Sequence, residues 1–222
     1  MQRYFKTGKG DYGEGDVFVG VTSPETRSIA NKYQNLSFDQ IKILLNDEIH
    51  ECRSTALTIL VEQFKKADET QKKAIQDFYL ENLDRVNNWD LVDTSAHYLV
   101  GELHETDEAL FDRLSSSDNM WHRRVAMEST YHTIKKGNLV PAIRMASKLV
   151  TNTEDLMHKV VGWMLREVGK QDKKVLVKFL NENLDTISRT TLSYCTEKMT
   201  SGERAKWREK RQVAHQNKQA SD

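Results

Sequence analysis

Two prolines and two cysteines in 222 residues are the first constraints this sequence imposes. So little proline leaves long helices uninterrupted. Cys52 and Cys195 lie far apart, without Cys-x-x-Cys spacing, and read as reduced core thiols instead of a disulfide framework or a metal knuckle. No apolar run approaches the roughly 20 residues of a membrane span; one of the longest, residues 57–61, has Thr58 inside it. Neither a leader peptide nor a membrane anchor is expected, so the reading is a soluble, cytoplasmic protein. Glycine is also scarce, and five of the ten fall between Gly8 and Gly20, which makes that stretch a loop. Gly8-Lys9-Gly10 is not followed by the Gly-Lys-Ser/Thr of a phosphate-cradling motif, and no buried strand precedes it, so no nucleotide cofactor is expected. The seven histidines lack Cys or carboxylate partners at ligand spacing, and no metal is expected either.

Charge is abundant but unevenly placed. Lys and Arg balance Asp and Glu at 33 each, yet residues 1–110 hold 12 basic against 20 acidic side chains and the rest of the chain 21 against 13. A surface for a polyanion would therefore draw mainly on the second half. Helix-start signals recur: Ser23-Pro24-Glu25, Ser37, Thr106, Asn119 and Thr153, each just before an apolar-periodic stretch. Between them apolar residues return at three and four, as in Ala56, Ile59, Leu60 and Phe64. The reading is ten to twelve helices of 8 to 20 residues, an all-α chain.

Arg53, Trp89, Arg124 and Lys159 stand near the starts of long helices about 35 residues apart, the length of a two-helix repeat. Such pairs cannot bury their apolar faces alone and must stack, which predicts an α-α superhelix, a HEAT-like or ARM-type solenoid, with one side chain per repeat on its concave face. One domain over residues 1–222 is expected, opening with a Gly-rich segment (1–22) and closing with a basic tail (200–222). That tail places Arg204, Lys206, Arg208, Lys210 and Arg211 around Trp207, as a helix touching a polyanion or as a solvated cap. Three segments combine aromatic, acidic and basic residues: Trp89-Asp90-Leu91-Val92-Asp93, Trp121-His122-Arg123-Arg124, and Lys159-Val160-Val161-Gly162-Trp163-Met164-Leu165-Arg166-Glu167. Helical spacing puts Trp89 with Asp93 on one face, Trp121 with Arg124 on another, and Lys159 with Trp163 and Arg166 on a third.

From Tyr4 to about Lys198 these motifs resemble those of the AlkD-type DNA alkylation-repair glycosylases. The resemblance implies that Trp89, Asp93, Arg124 and Trp163 line a DNA-facing cleft, with Asp93, Trp89 and Trp163 catalytic. Arg124, Lys159, Arg166 and Tyr4 would contact DNA. The implied chemistry is hydrolysis of the bond between deoxyribose and a cationic alkylated purine, 3-methyladenine or 7-methylguanine, by a monomer needing neither metal nor cofactor. The chain departs from the pattern in a shortened N-terminus and in the Gly-rich insertion, which would tether or touch the DNA backbone. The alternative is a non-catalytic scaffold of the same fold for distorted, branched or single-stranded DNA. A protein-interaction module with no nucleic-acid role is the third reading.

Overall fold

The computed structural model describes residues 5–219, and its elements are helical throughout, apart from an isolated parallel bridge between Val17 and Ile49. Contacts group the chain into two compact units, Met1–Val100 and Gly101–Asp222. The first holds α1 (Ser23–Lys32), α2 (Phe38–Leu45), α3 (His50–Phe64), α4 (Glu69–Glu81) and α5 (Trp89–Leu99). The second holds α6 (Glu108–Ser115), α7 (Met120–Glu128), α8 (Tyr131–Lys135), α9 (Val140–Leu149), α10 (Asp155–Gln171), α11 (Lys173–Glu182), α12 (Arg189–Cys195) and α13 (Ser201–Gln219). Two of these, α8 and α12, are shorter than the sequence reading allowed. Turns of 3-10 helix precede α5 and α6, at Leu83–Arg85 and Gly101–Glu105.

Side-chain caps start most of the helices. Ser37 accepts from the Gln40 amide while the Gln40 side chain returns to the Ser37 amide, and Asp68 with Gln71 repeats this capping box. Each such cap contributes about 1 kcal/mol. Three caps differ from the sequence reading: Thr22, Asp107 and Glu154 take the cap position, so Ser23 is the first residue of α1 and Thr106 and Thr153 stand one residue too early. Thr22 caps through a capping box with Glu25 and Asp107 through a bond from the Leu110 amide, whereas Glu154 takes its position by backbone conformation, without a side-chain bond.

Each unit is organised around one helix. In α3 the run Ala56, Leu57, Ile59, Leu60 is fully buried, and α3 touches α1, α2, α4 and α5. Ser54, Thr58, Glu62 and Gln63 remain half-buried, so a broad apolar face of α3, not its whole circumference, is covered. In the second unit α10 has the same place, against α7, α8, α9, α11 and α12. Gly162 shows how closely α10 meets α12: a Cβ there would stand 2.5 Å from Tyr194 Cβ and 2.8 Å from the Thr191 carbonyl oxygen. Thr191 Oγ1 also donates to the His158 carbonyl at 3.1 Å. The glycine in the Lys-x-x-Gly-Trp motif is thus a packing requirement. Gly162→Ala should gain at most about 1 kcal/mol of helix propensity and lose about 1–3 kcal/mol to overpacking. The expected net result is a lower urea midpoint; an unchanged or raised midpoint would refute the close approach.

The helices repeat, in a register that differs from the one read off the sequence. Arg53 Nη1 donates to the carbonyls of Asp47 and Glu48, six and five residues back, at 3.0 and 3.1 Å. Arg123 Nη1 does the same to Ser117 and Asp118 at 2.6 and 2.9 Å. His158 Nε2 reaches the Asn152 carbonyl, six residues back, at 2.6 Å. All three are the fourth residues of their helices, α3, α7 and α10. Arg53 therefore corresponds to Arg123 and His158, whereas Arg124 and Lys159 sit in the fifth position with Asp93. Helix starts at His50, Trp89, Met120 and Asp155 step by 39, 31 and 35 residues, so a constant period slips.

Candidate functional site

In the first unit, Trp89 and Asp93 occupy the first two turns of α5, one turn apart and both half-buried. The Gly-rich segment fixes what lies beside them. It folds on itself through the Gly13 amide to the Lys6 carbonyl (2.9 Å) and the Asp11 amide to the Gly8 carbonyl (3.0 Å), and the His50 amide then bonds the Val17 carbonyl at 2.8 Å. This delivers Asp16 to the interior, where its carboxylate accepts from Asn88 Nδ2 at 2.7 Å, from the Arg53 guanidinium and from His50 Nδ1 at 3.3 Å. His50 Nε2 lies 2.8 Å from Asp90 Oδ2. Both ring nitrogens face carboxylate oxygens, so both donate and the ring is an imidazolium.

The ionisation of this cluster follows from its geometry. Burial opposes charge on His50, but the hydrogen bonds and charges of Asp16 and Asp90 prevail and raise its pKa to about 9. Burial likewise opposes ionisation of Asp16, and the bonds from His50 and Asn88 with the Arg53 charge hold it below the usual carboxylate range. Around the imidazolium stand Phe18, with ring centroids 4.6 Å apart, and Phe5 at 5.1 Å. Phe5 in turn stacks on Trp89 at 5.3 Å and 19°. Asn88 caps α5 by accepting from the Trp89 amide while donating to Asp16, so this bond and the Phe5–Trp89 stack tie the first turn of α5 to the N-terminal segment. Neither Asp16, His50 nor Phe5 was singled out in the sequence, and Asp90 was named only as part of the Trp89–Asp93 motif. The Gly-rich loop was expected to tether or to touch the DNA backbone; in the structure Asp16 holds it to Arg53, His50 and Asn88.

The second unit carries the remaining candidates. Trp163 of α10 is half-buried, its ring 6.2 Å from that of Tyr131. One turn either side on the same helix are Lys159 and Arg166. Lys159 pairs with Asp155 at 2.7 Å; Arg166 pairs with Glu197 and, at 3.3 Å, with Glu167. Lys159 with Asp155 is a partly exposed pair of about 0–1 kcal/mol, which a phosphate can replace at little cost. Arg124 is different: it is 4% exposed, and its Nη1 donates to the Leu156 carbonyl at 2.8 Å. Trp121, at 8%, belongs to the core. Tyr4 lies outside the described residues. Among the described residues no helix is long and apolar enough to cross a membrane.

Comparison with known proteins identifies the fold and the family. No curated protein matches the chain. Among solved structures it is similar to a predicted DNA alkylation repair enzyme from Enterococcus faecalis, with TM-score 0.69 and 18% identity over 90% of this chain and 93% of that one. It is also similar to AlkD2 from Streptococcus mutans, with TM-score 0.59 and 19% identity over 86% and 95%. At these identities the likeness concerns the all-α helical-repeat fold. The model of one family, DNA alkylation repair enzyme, matches residues 1–199, a span that includes Trp89, Asp93, Arg124 and Trp163. By that match the chain belongs to the DNA alkylation repair enzyme family.

Proposed function

We propose that this protein is a DNA glycosylase that hydrolyses the N-glycosidic bond of cationic alkylated purines such as 3-methyladenine and 7-methylguanine. The observation that carries the reading is the pair Trp89 and Asp93, one turn apart on α5, with the indole braced by Phe5. An alkylated purine already bears positive charge and leaves readily, so the general acid of ordinary glycoside hydrolysis is dispensable and one carboxylate suffices. As the sugar becomes oxocarbenium-like, an ionised Asp93 stabilises it and orients or deprotonates the attacking water. Trp89 offers an electron-rich face to the same developing charge, and Trp163 of the second unit takes an equal role in this reading.

DNA is held by its backbone in this reading. Lys159 and Arg166 exchange their carboxylate partners for phosphates, and Arg124, tied to Leu156, is a fixed positive charge that adds affinity without reading sequence. Phosphate contacts of this kind are sequence-independent and weaken as salt rises. The test is release of free 7-methylguanine from alkylated duplex, followed by chromatography. Release above the spontaneous rate is expected. No release, with duplex binding intact, would replace the glycosylase by a non-catalytic scaffold for distorted, branched or single-stranded DNA.

A further inference from the structure

A second basic feature of the second unit is lined by none of the residues assigned above. Between α12 and α13 runs a cleft of about 760 Å³ lined by Arg189, Arg204, Arg208, Arg211, Gln212 and His215, with no carboxylate in its lining. Several basic side chains elsewhere are paired, among them Arg53 with Asp16, Arg123 with Glu154, Lys159 with Asp155, Arg166 with Glu197 and Lys173 with Glu203. Among the described residues, no carboxylate comes within ion-pair distance of Arg189, Arg204, Arg208 or Arg211. Arg204 Nε and His215 Nε2 are buried without a hydrogen-bond partner. Burial and the like charge of Arg189 both press on Arg211, whose Nε is spent on the Ile187 carbonyl at 2.6 Å. Four guanidinium groups gathered without counter-charge repel one another, and an anion among them relieves that repulsion.

The layout of the row selects the anion. Residues 204, 208, 211 and 215 recur at four, three and four on α13, so they line one face. At about 1.5 Å per residue they extend about 16 Å, whereas phosphates along one strand of a duplex advance about 3.4 Å each. A single phosphate leaves most of such a row unused; a strand of several fills it. Trp207, the aromatic residue at the middle of the row, is buried at 8% exposure under the Lys210 ammonium and does not line the cleft. Without a stacking platform the cleft does not suit unpaired bases.

We propose that the α12–α13 cleft is a second DNA contact that grips the phosphodiester backbone of one duplex strand without reading sequence. The family match ends at residue 199, before α13 begins at Ser201, so one wall of this grip, α13, lies outside the matched region, while α12 with Arg189 lies within it. The proposal rests on DNA being the partner and is independent of base excision. Arg189 and Arg208 are exposed and flank the cleft from its two helices. In the full chain, binding to an undamaged, fluorescently labelled duplex is measured by anisotropy across a salt series. Arg189→Gln/Arg208→Gln is expected to reduce the slope of log affinity against log salt by about two, about one for each phosphate that is no longer neutralised, and affinity at low salt by about tenfold or more. Arg189→Lys/Arg208→Lys, which keeps both charges, should retain most of the slope and reports on any folding defect.

Lys174→Gln/Lys206→Gln removes the same charge at exposed sites outside the cleft and should change the slope little. An unchanged slope in the arginine pair, or an equal fall in the lysine control, overturns the proposal. Release of 7-methylguanine is read separately: a protein that releases none yet shows the reduced slope in the arginine pair retains this grip and loses only the glycosylase reading.

Discussion

Asp93→Asn is expected to lower 7-methylguanine release from alkylated duplex by about a hundredfold or more, with affinity for undamaged duplex almost unchanged. The amide has nearly the size of the carboxylate and sits at a half-buried helical position, so the fold should tolerate it. What it lacks is the negative charge. Preorganised electrostatic groups of this kind are commonly worth about 10²–10³ in rate, and a hundredfold corresponds to about 3 kcal/mol of barrier. Because the charge acts where positive charge develops, ground-state binding should move little, and the loss should fall on the single-turnover rate. Release by Asp93→Asn at the intact protein's rate would remove Asp93 from the chemistry, whatever the protein binds.

The second large effect concerns stability. Asp16→Ala removes the anion that Arg53, His50 and Asn88 share. Breaking a buried ion pair from one side costs about 3–5 kcal/mol, because the other charge stays buried and unpaired. Against the 5–15 kcal/mol that holds typical domains folded, the urea midpoint should fall by on the order of 1–3 M. A fall of less than about 0.3 M would mean that the cluster is not a structural centre.

The same cluster sets an alkaline limit. With the folded-state pKa of His50 raised to about 9 from an ordinary 6.5, its contribution is fully present below pH 6.5 and is lost as pH rises through 9. The intact protein should lose on the order of 2–3 kcal/mol between pH 7 and 10, and Asp16→Ala should lose much less. Asp16 acts with the opposite sense: its depressed pKa adds stability above the usual carboxylate range, and that stability disappears as pH falls below it.

The helical architecture was legible because it is written locally. Apolar residues at three and four mark α3 and α10, and Ser37 and Asn119 cap helices where they were read to. The placement of Trp89 and Asp93 one turn apart on one helix was legible for the same reason. The repeat register was not: steps of 39, 31 and 35 residues defeat a fixed period, and the bonds that define the true equivalence run from side chains to backbone carbonyls. Nor was the cluster that braces Trp89, since Asp16 meets His50 and Asn88 across 34 and 72 residues. Arg124 and Lys159 hold the same helical position, yet Arg124 is almost fully covered and Lys159 is not. Helical position alone does not distinguish them; the Leu156 carbonyl does.

Where the repeat at α10 substitutes an imidazole for a guanidinium, the loop ahead of that helix is fastened by one nitrogen of His158 instead of the two carbonyl bonds seen at α3 and α7. Arg124 makes good the shortfall through Leu156, inside the first turn of α10, and so serves as a rivet for that helix. Any replacement of Arg124 loosens α10 and, with it, the footing of Trp163. Lost activity in such a variant would therefore say nothing by itself about a bond from Arg124 to DNA.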